Sequence, residues 1–150
     1  METLGSFLRG QQLATVTPAT STFEAARLMA ERGVGAVPVV DAQRLVGIFT
    51  ERDVMTRVVA QGLDAAQTPV GAVMSTELVV ADVADDCEEA LARLQAAHVR
   101  HLLVLQDGRL AGIVSMRDLV DRELADRDET VALLNAYVHY IPADLTRKRP

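Results

Sequence analysis

Apolar positions along the chain alternate between short runs with β-branched content and longer stretches at helical spacing, and the two halves repeat the same order. The first half opens on "LATV" from Leu13 and the second on "LVVA" from Leu78, each read as a strand. A helix follows in both. Its start is marked by Ser21 with Glu24 three residues on, and by Asp86 with Glu89, the spacing of a capping box in which side chains satisfy orphaned backbone N–H groups. Phe23, Ala26, Leu28, Met29 and Ala30 in one copy, and Leu91 and Leu94 in the other, are expected to face a core. Gly33 is placed to end the first helix, because glycine takes the left-handed conformation without steric cost.

Two apolar runs around a turn come next: "AVPVV" and "LVGIF" about "DAQR", then "LLVL" and "LAGIV" about "QDGR". Both read as β-hairpins, with Asp107-Gly108 a good turn dipeptide. Pro38 lacks a ladder donor, so its strand is expected to be short, bulged or at an edge. A second helix follows each hairpin, from near Thr50 to Ala60 and from near Ser115 onward, and "GLDAAQTPVGAVMS" connects the units. Asp121 to Tyr140 reads as a prolonged or additional helix, broken at Ile141-Pro142.

The two halves are in register at a constant offset. "GIFTERD" (Gly47 to Asp53) recurs as "GIVSMRD" (Gly112 to Asp118) 65 residues later, and the same shift carries Leu13 onto Leu78, Glu24 onto Glu89, Val34 onto Val99 and Arg44 onto Arg109. A duplicated β-α-β-β-α unit is the economical explanation.

Composition limits what such a pair does. A chain of 150 residues that is 49% hydrophobic can bury a core as one compact domain or two packed half-domains. Its net charge of −6 argues against nucleic acid as a partner, and the basic run Arg147 to Arg149 reads as a solvated tail. No window is apolar over the roughly 18 residues of a membrane helix, and "METLGSFLRGQQ" lacks the pattern of an export signal, so a cytoplasmic protein without a membrane partner is expected. Cys87 stands alone and reads as packing at a helix start. His98, His101 and His139 show no zinc-binding spacing. Neither a GxxxxGK[ST] phosphate loop nor a nucleophile–base pair is evident, and no catalysis is expected.

The motifs Thr50-x-x-Asp53 and Ser115-x-x-Asp118 have two readings. As helix caps, hydroxyl and carboxylate satisfy backbone donors and complement the helix dipole. As half of a nucleotide site, the helix N-terminus and hydroxyl meet phosphate while the carboxylate accepts ribose hydroxyls. The two are compatible.

Over about residues 7 to 122 the repeat, hairpin and Gly-x-x-Ser/Thr-x-x-Asp ending together resemble a tandem pair of CBS domains. The resemblance implies an α/β fold of two β-α-β-β-α repeats packed with pseudo-two-fold symmetry, plus a C-terminal helix. Repeats are expected at 7–62 and 74–122, a linker at 63–73, and the C-terminal helix and tail at 123–150. The resemblance also implies a site between the repeats. Asp53 and Asp118 take the ribose role, and Thr50 and Ser115 contact ribose or phosphate. Val34-Gly35-Ala36 and Val99-Arg100-His101 line the base or phosphate region, and Ala14 and Val79 complete apolar walls for adenine.

In the crossed arrangement of the family, Arg100 and His101 face the Thr50/Asp53 half-site and make that cleft the expected working one. Unpaired changes between the copies, Val83 for Pro18 and Leu103 for Pro38, argue against equal affinities at the two clefts. Arg52 and Arg117 recur within the motif, with two readings, steering of phosphate or surface ion pairs, of which the ion pairs are the safer. The implied ligand is AMP, ADP or ATP, with NAD(H) or S-adenosylmethionine as further candidates, and no required cofactor. A homodimer and an unknown regulated protein are the expected partners, with Leu133, Leu134, Tyr137 and Tyr140 covering the core or joining the interface. The competing reading is a structural or protein-interaction dimer whose motifs serve only as caps.

Overall fold

The computed structural model describes residues 2–126, as a mixed α/β arrangement of two small sheets and their helices. Helix α1 (Leu4–Phe7) leads into α2 (Thr22–Arg32), the hairpin β1 (Ala36–Asp41) and β2 (Arg44–Thr50), and a short α3 (Glu51–Asp53) that continues as a π-helical stretch, Val54–Val59. The connector carries α4 (Val70–Val73). The second unit comprises β3 (Val80–Asp82), α5 (Cys87–Ala97), the hairpin β4 (His101–Gln106) and β5 (Arg109–Ser115), and α6 (Met116–Asp126). Leu133, Leu134, Tyr137, His139, Tyr140, the break at Ile141-Pro142 and the basic tail all lie outside the described residues.

Both hairpins are antiparallel and bulged at equivalent places, between Val39 and Val40 and between Val104 and Leu105. Their strands are buried on both faces, which explains why they read as apolar runs rather than alternating ones. Val37, Val39 and Phe49 point into the first core, with Ala25, Met29 and Val58. Leu102, Val104 and Val114 point into the second, with Leu4, Ala90, Leu94 and Leu119. The opposite faces meet each other: Ala36, Ile48 and Leu103 form a third cluster at the crossing of the repeats, joined by Leu45, Leu78, Leu110 and Ile113. Pro38 lies in a two-stranded sheet next to the bulge, where its missing donor costs nothing and its carbonyl accepts the Val16 N–H at 3.1 Å.

Several local expectations are corrected. "LATV" does not form a strand; only Val16 makes a bridge, to Val39, whereas its counterpart forms β3 parallel to β4. The buried face of α2 is Thr22, Ala25 and Met29, leaving Phe23 50% exposed and Ala30 exposed. Thr22 is buried because its hydroxyl donates to the Ala65 carbonyl and its N–H to the Thr68 carbonyl, which shifts the inward face. The helix after Thr50 is α-helical for one turn only; the Ala60 N–H reaches back five residues to Met55. At the α5 start, Asp86 accepts from the Glu88 N–H rather than from Glu89. Cys87 sits at that start, partly buried against the second core.

Each repeat receives its closing helix from the segment that precedes the other. Leu4 of α1 donates to the Asp85 carbonyl and Gly5 to Val83, while Val70 of α4 donates to Thr20 and Gly71 to Pro18. Asp85 and Thr20, like Val83 and Pro18, are 65 residues apart, so the two dockings are equivalent. Closeness favours glycine at both: a Cβ on Gly71 would lie 2.9 Å from Pro18 Cβ, and one on Gly5 would be a tight 3.1 Å from the Val83 carbonyl oxygen.

Candidate functional site

The Thr50 N–H donates to Asp53 Oδ2 at 3.0 Å and the Asp53 N–H to Thr50 Oγ1 at 3.2 Å, a complete capping box. Ser115 and Asp118 repeat it at 3.4 and 3.0 Å. The cap reading of both motifs is therefore realised. The first N–H of each helix is also taken: Glu51 donates to the Gly35 carbonyl at 2.9 Å and Met116 to Arg100 at 2.7 Å. Donation by the α3 N-terminus to a ligand is correspondingly limited. Asp53 is buried, with Oδ1 3.6 Å from Arg57 Nε, while Asp118 is exposed. Arg57 also donates to the Val73 and Met74 carbonyls, tying the site to the end of α4.

Against this cap lies a cavity of about 200 Å³ at the crossing of the repeats. The first repeat supplies Ile48, Thr50, Glu51, Arg52 and Asp53. The second supplies Leu78, Val79, His98, Val99, Arg100, His101 and Leu103, and the approach to β3 adds Ser75 and Glu77. Thus Thr50, Asp53, Val79, Val99, Arg100 and His101 are brought together in one cleft. Ser115, Asp118, Ala14, Val34, Gly35 and Ala36 are not part of that lining. Gly35 nevertheless abuts it, since a Cβ there would meet Glu51 Oε1 at 3.2 Å and His101 Nε2 at 3.6 Å.

Arg100 is exposed and makes no ion pair among the described residues, whereas Arg117 lies 4.0 Å from Asp121. Burial pushes the His101 pKa below its ordinary 6.5; Glu51 and Asp118 oppose that shift and Arg100 adds to it. Sequence reasoning missed Ile48, Glu51, Ser75, Glu77, Leu78 and Leu103 as wall residues, and Arg52 and His98, read from the sequence as surface groups, line the cavity as well. Glu51 was legible, sitting inside the repeated motif beside Thr50. Ser75 is placed by its mutual backbone bonds with Ile48, both 2.9 Å, which no local pattern announces. Among the described residues there is no cluster of three or more His, Cys, Asp or Glu able to hold a metal, and no helix long and apolar enough to cross a membrane.

Two copies of one α/β unit that meet at a cleft define a tandem-repeat module. The CBS-domain family model matches residues 10–60 and again 70–125, and the chain belongs to that family as a CBS-domain pair, a ligand-binding regulatory module. The CBS domain-containing protein YhcV of Bacillus subtilis is 42% identical over 125 residues, covering 83% of this chain and 88% of its own. The crystal structure of a CBS-domain containing protein from Agrobacterium tumefaciens superposes with a TM-score of 0.74 at 33% identity, covering 81% of this chain and 98% of that one. The CBS domain pair of protein MJ0100, solved with 5′-methylthioadenosine and S-adenosyl-L-methionine, shares the fold with a TM-score of 0.75 at 20% identity, over 85% of this chain and 99% of that one.

Proposed function

We propose that the chain is a non-catalytic sensor that binds an adenine nucleotide or adenosyl ligand in the cavity between its repeats and signals occupancy through their relative packing. The observation that carries this reading is the composition of the cavity wall: apolar Ile48, Leu78, Val79 and Leu103 beside the Thr50/Asp53 cap and the Arg100 guanidinium. An aromatic base suits the apolar walls and a sugar the carboxylate. Each Asp53 oxygen retains a second lone-pair direction beyond its present contact. About 200 Å³ is smaller than the roughly 300–1,000 Å³ of drug-sized pockets, which suits a nucleoside with its tail at the open rim near Arg52 and Arg100. The adenosyl ligands of the MJ0100 pair support the ligand class through fold alone.

Assembly as a cytoplasmic homodimer belongs to the same proposal. Met55 and Val59, 60% and 68% exposed, lie four residues apart on the π-helical stretch and offer an apolar helix face. Light scattering at high concentration tests the dimer, and monomer throughout contradicts it. Calorimetric titration with AMP, ADP, ATP, NAD and S-adenosylmethionine tests the ligand class. Binding by at least one, weakened ten-fold or more by Arg100→Ala or Asp53→Ala, is expected. Absence of heat and of any thermal shift with all five would leave the interaction-module reading in its place.

A further inference from the structure

The cavity is lined by three carboxylates, Glu51, Asp53 and Glu77, against two guanidiniums, Arg52 and Arg100. Its remaining titratable groups are His98 and His101. With both imidazoles neutral the lining carries a formal charge of −1, a poor match for a phosphate dianion. Arg57 lies behind Asp53, so its charge is directed at that carboxylate rather than at the open space.

His101 is the group positioned to change this balance. It is the first residue of β4, paired in register with Ser115, and its ring lines the cavity. Its Nε2 lies 3.6 Å from the position of a Gly35 Cβ, and Glu51 Oε1 lies 3.2 Å from that same point. Among the described residues, the charged and titratable groups around the ring come from four places. From α3 and its cap come Glu51, Arg52 and Asp53; from the approach to β3, Glu77; from the end of α5, His98 and Arg100; and from α6, Asp118. The carboxylates Glu51 and Asp118 favour an imidazolium, while burial and Arg100 oppose it. An anion entering beside Arg100 changes that balance toward the charged ring, since an added negative charge close by favours a proton on histidine.

We infer that His101 is the specificity-determining residue of the cavity: it takes up a proton when a phosphate-bearing adenine ligand binds, and stays neutral for an uncharged or cationic adenosyl ligand. This rests on the adenine-ligand reading of the cavity. The proton comes from the buffer and resides on the imidazole, with no covalent change in the ligand. Phosphorylated ligands therefore gain on their uncharged analogues as pH falls through neutrality, by up to ten-fold per pH unit for one proton.

The test is calorimetric titration of AMP and of adenosine at pH 7.5 in two buffers of different ionisation enthalpy. At that pH the AMP phosphate is already a dianion, its second pKa lying near 6. The expected result is fractional proton uptake with AMP and none with adenosine. His101→Gln is expected to abolish the uptake, His98→Gln to preserve it, and Glu51→Gln, which removes a carboxylate that favours the imidazolium, to reduce it while tightening AMP. Binding of AMP without proton uptake, or equal uptake in wild type and His101→Gln, overturns this inference and leaves the adenine site standing. Failure of both ligands to bind overturns both. The wild-type proton count decides the matter even if a variant does not fold.

Discussion

The side chain of Gln11 pairs with Ile113 as a neighbouring strand would: its amide nitrogen donates to the Ile113 carbonyl at 2.7 Å, and its carbonyl accepts the Ile113 N–H at 3.1 Å. In the first repeat the equivalent residue, Ile48, is bridged by the backbone of Ser75. One side chain thus does in the second repeat what main chain does in the first. Gln11→Ala is expected to cost about 1–2 kcal/mol by leaving two edge groups to solvent, read from urea unfolding. A change below a few tenths would show that water replaces the amide without loss.

The two hairpin turns differ in strain. Asp107 and Gly108 have φ of 51° and 75°, the left-handed pair of a tight hairpin, and their residue types suit it. Ala42 and Gln43 hold 47° and 67° with side chains that disfavour this region. Replacing Ala42-Gln43 by Asn-Gly is expected to stabilise the protein by about 1 kcal/mol, raising the melting temperature by about 2–4 °C. An unchanged or lowered midpoint contradicts the assignment of strain.

The paired caps are unequal. Asp53 is 7% exposed and serves Thr50 and Arg57, whereas Asp118 is exposed and, among the described residues, hydrogen-bonds with Ser115. Asp53→Ala removes a buried cap acceptor from the Thr50 N–H and the ion pair of Arg57, which keeps its bonds to the Val73 and Met74 carbonyls, with an expected cost of about 2 kcal/mol; Asp118→Ala is expected to cost about 1 kcal/mol or less. Chemical denaturation of both variants checks the order. Equal losses would mean that burial of Asp53 contributes nothing.

Acid sensitivity follows from His101. Because burial lowers its pKa below 6.5, the unfolded chain binds more protons than the folded one between the two values, and stability rises with pH across that window. Without ligand, the wild type is expected to lose more of its melting temperature between pH 7.5 and pH 5.5 than His101→Gln does. Parallel pH profiles for the two proteins would contradict this.

The repeat, both hairpins and both caps were legible in the sequence because each depends on local signals: β-branched runs, turn dipeptides and a hydroxyl three residues before a carboxylate. The 65-residue offset supplied the pairing of Thr50 with Ser115 and of Asp53 with Asp118. What escaped depends on distant partners. Thr22 turned α2 inward on a face that hydropathy did not favour, because the Ala65 carbonyl takes its hydroxyl. "LATV" lost its strand although its residues suit one, leaving the single Val16–Val39 bridge. Glu77 reached the cavity wall from a stretch with no motif of its own. The exchange of α1 and α4 between repeats was hidden because Gly5 and Gly71 precede the apolar runs used to find the offset.

Amide chemical shifts during titration of the labelled protein with AMP decide whether the Thr50/Asp53 cleft is the working ligand site. Changes concentrated at Thr50–Asp53, Val79 and Val99–His101 are expected, with Ser115 and Asp118 moving less. Changes centred on Ser115, Asp118 and Ala14, or no changes at saturating ligand, would contradict it.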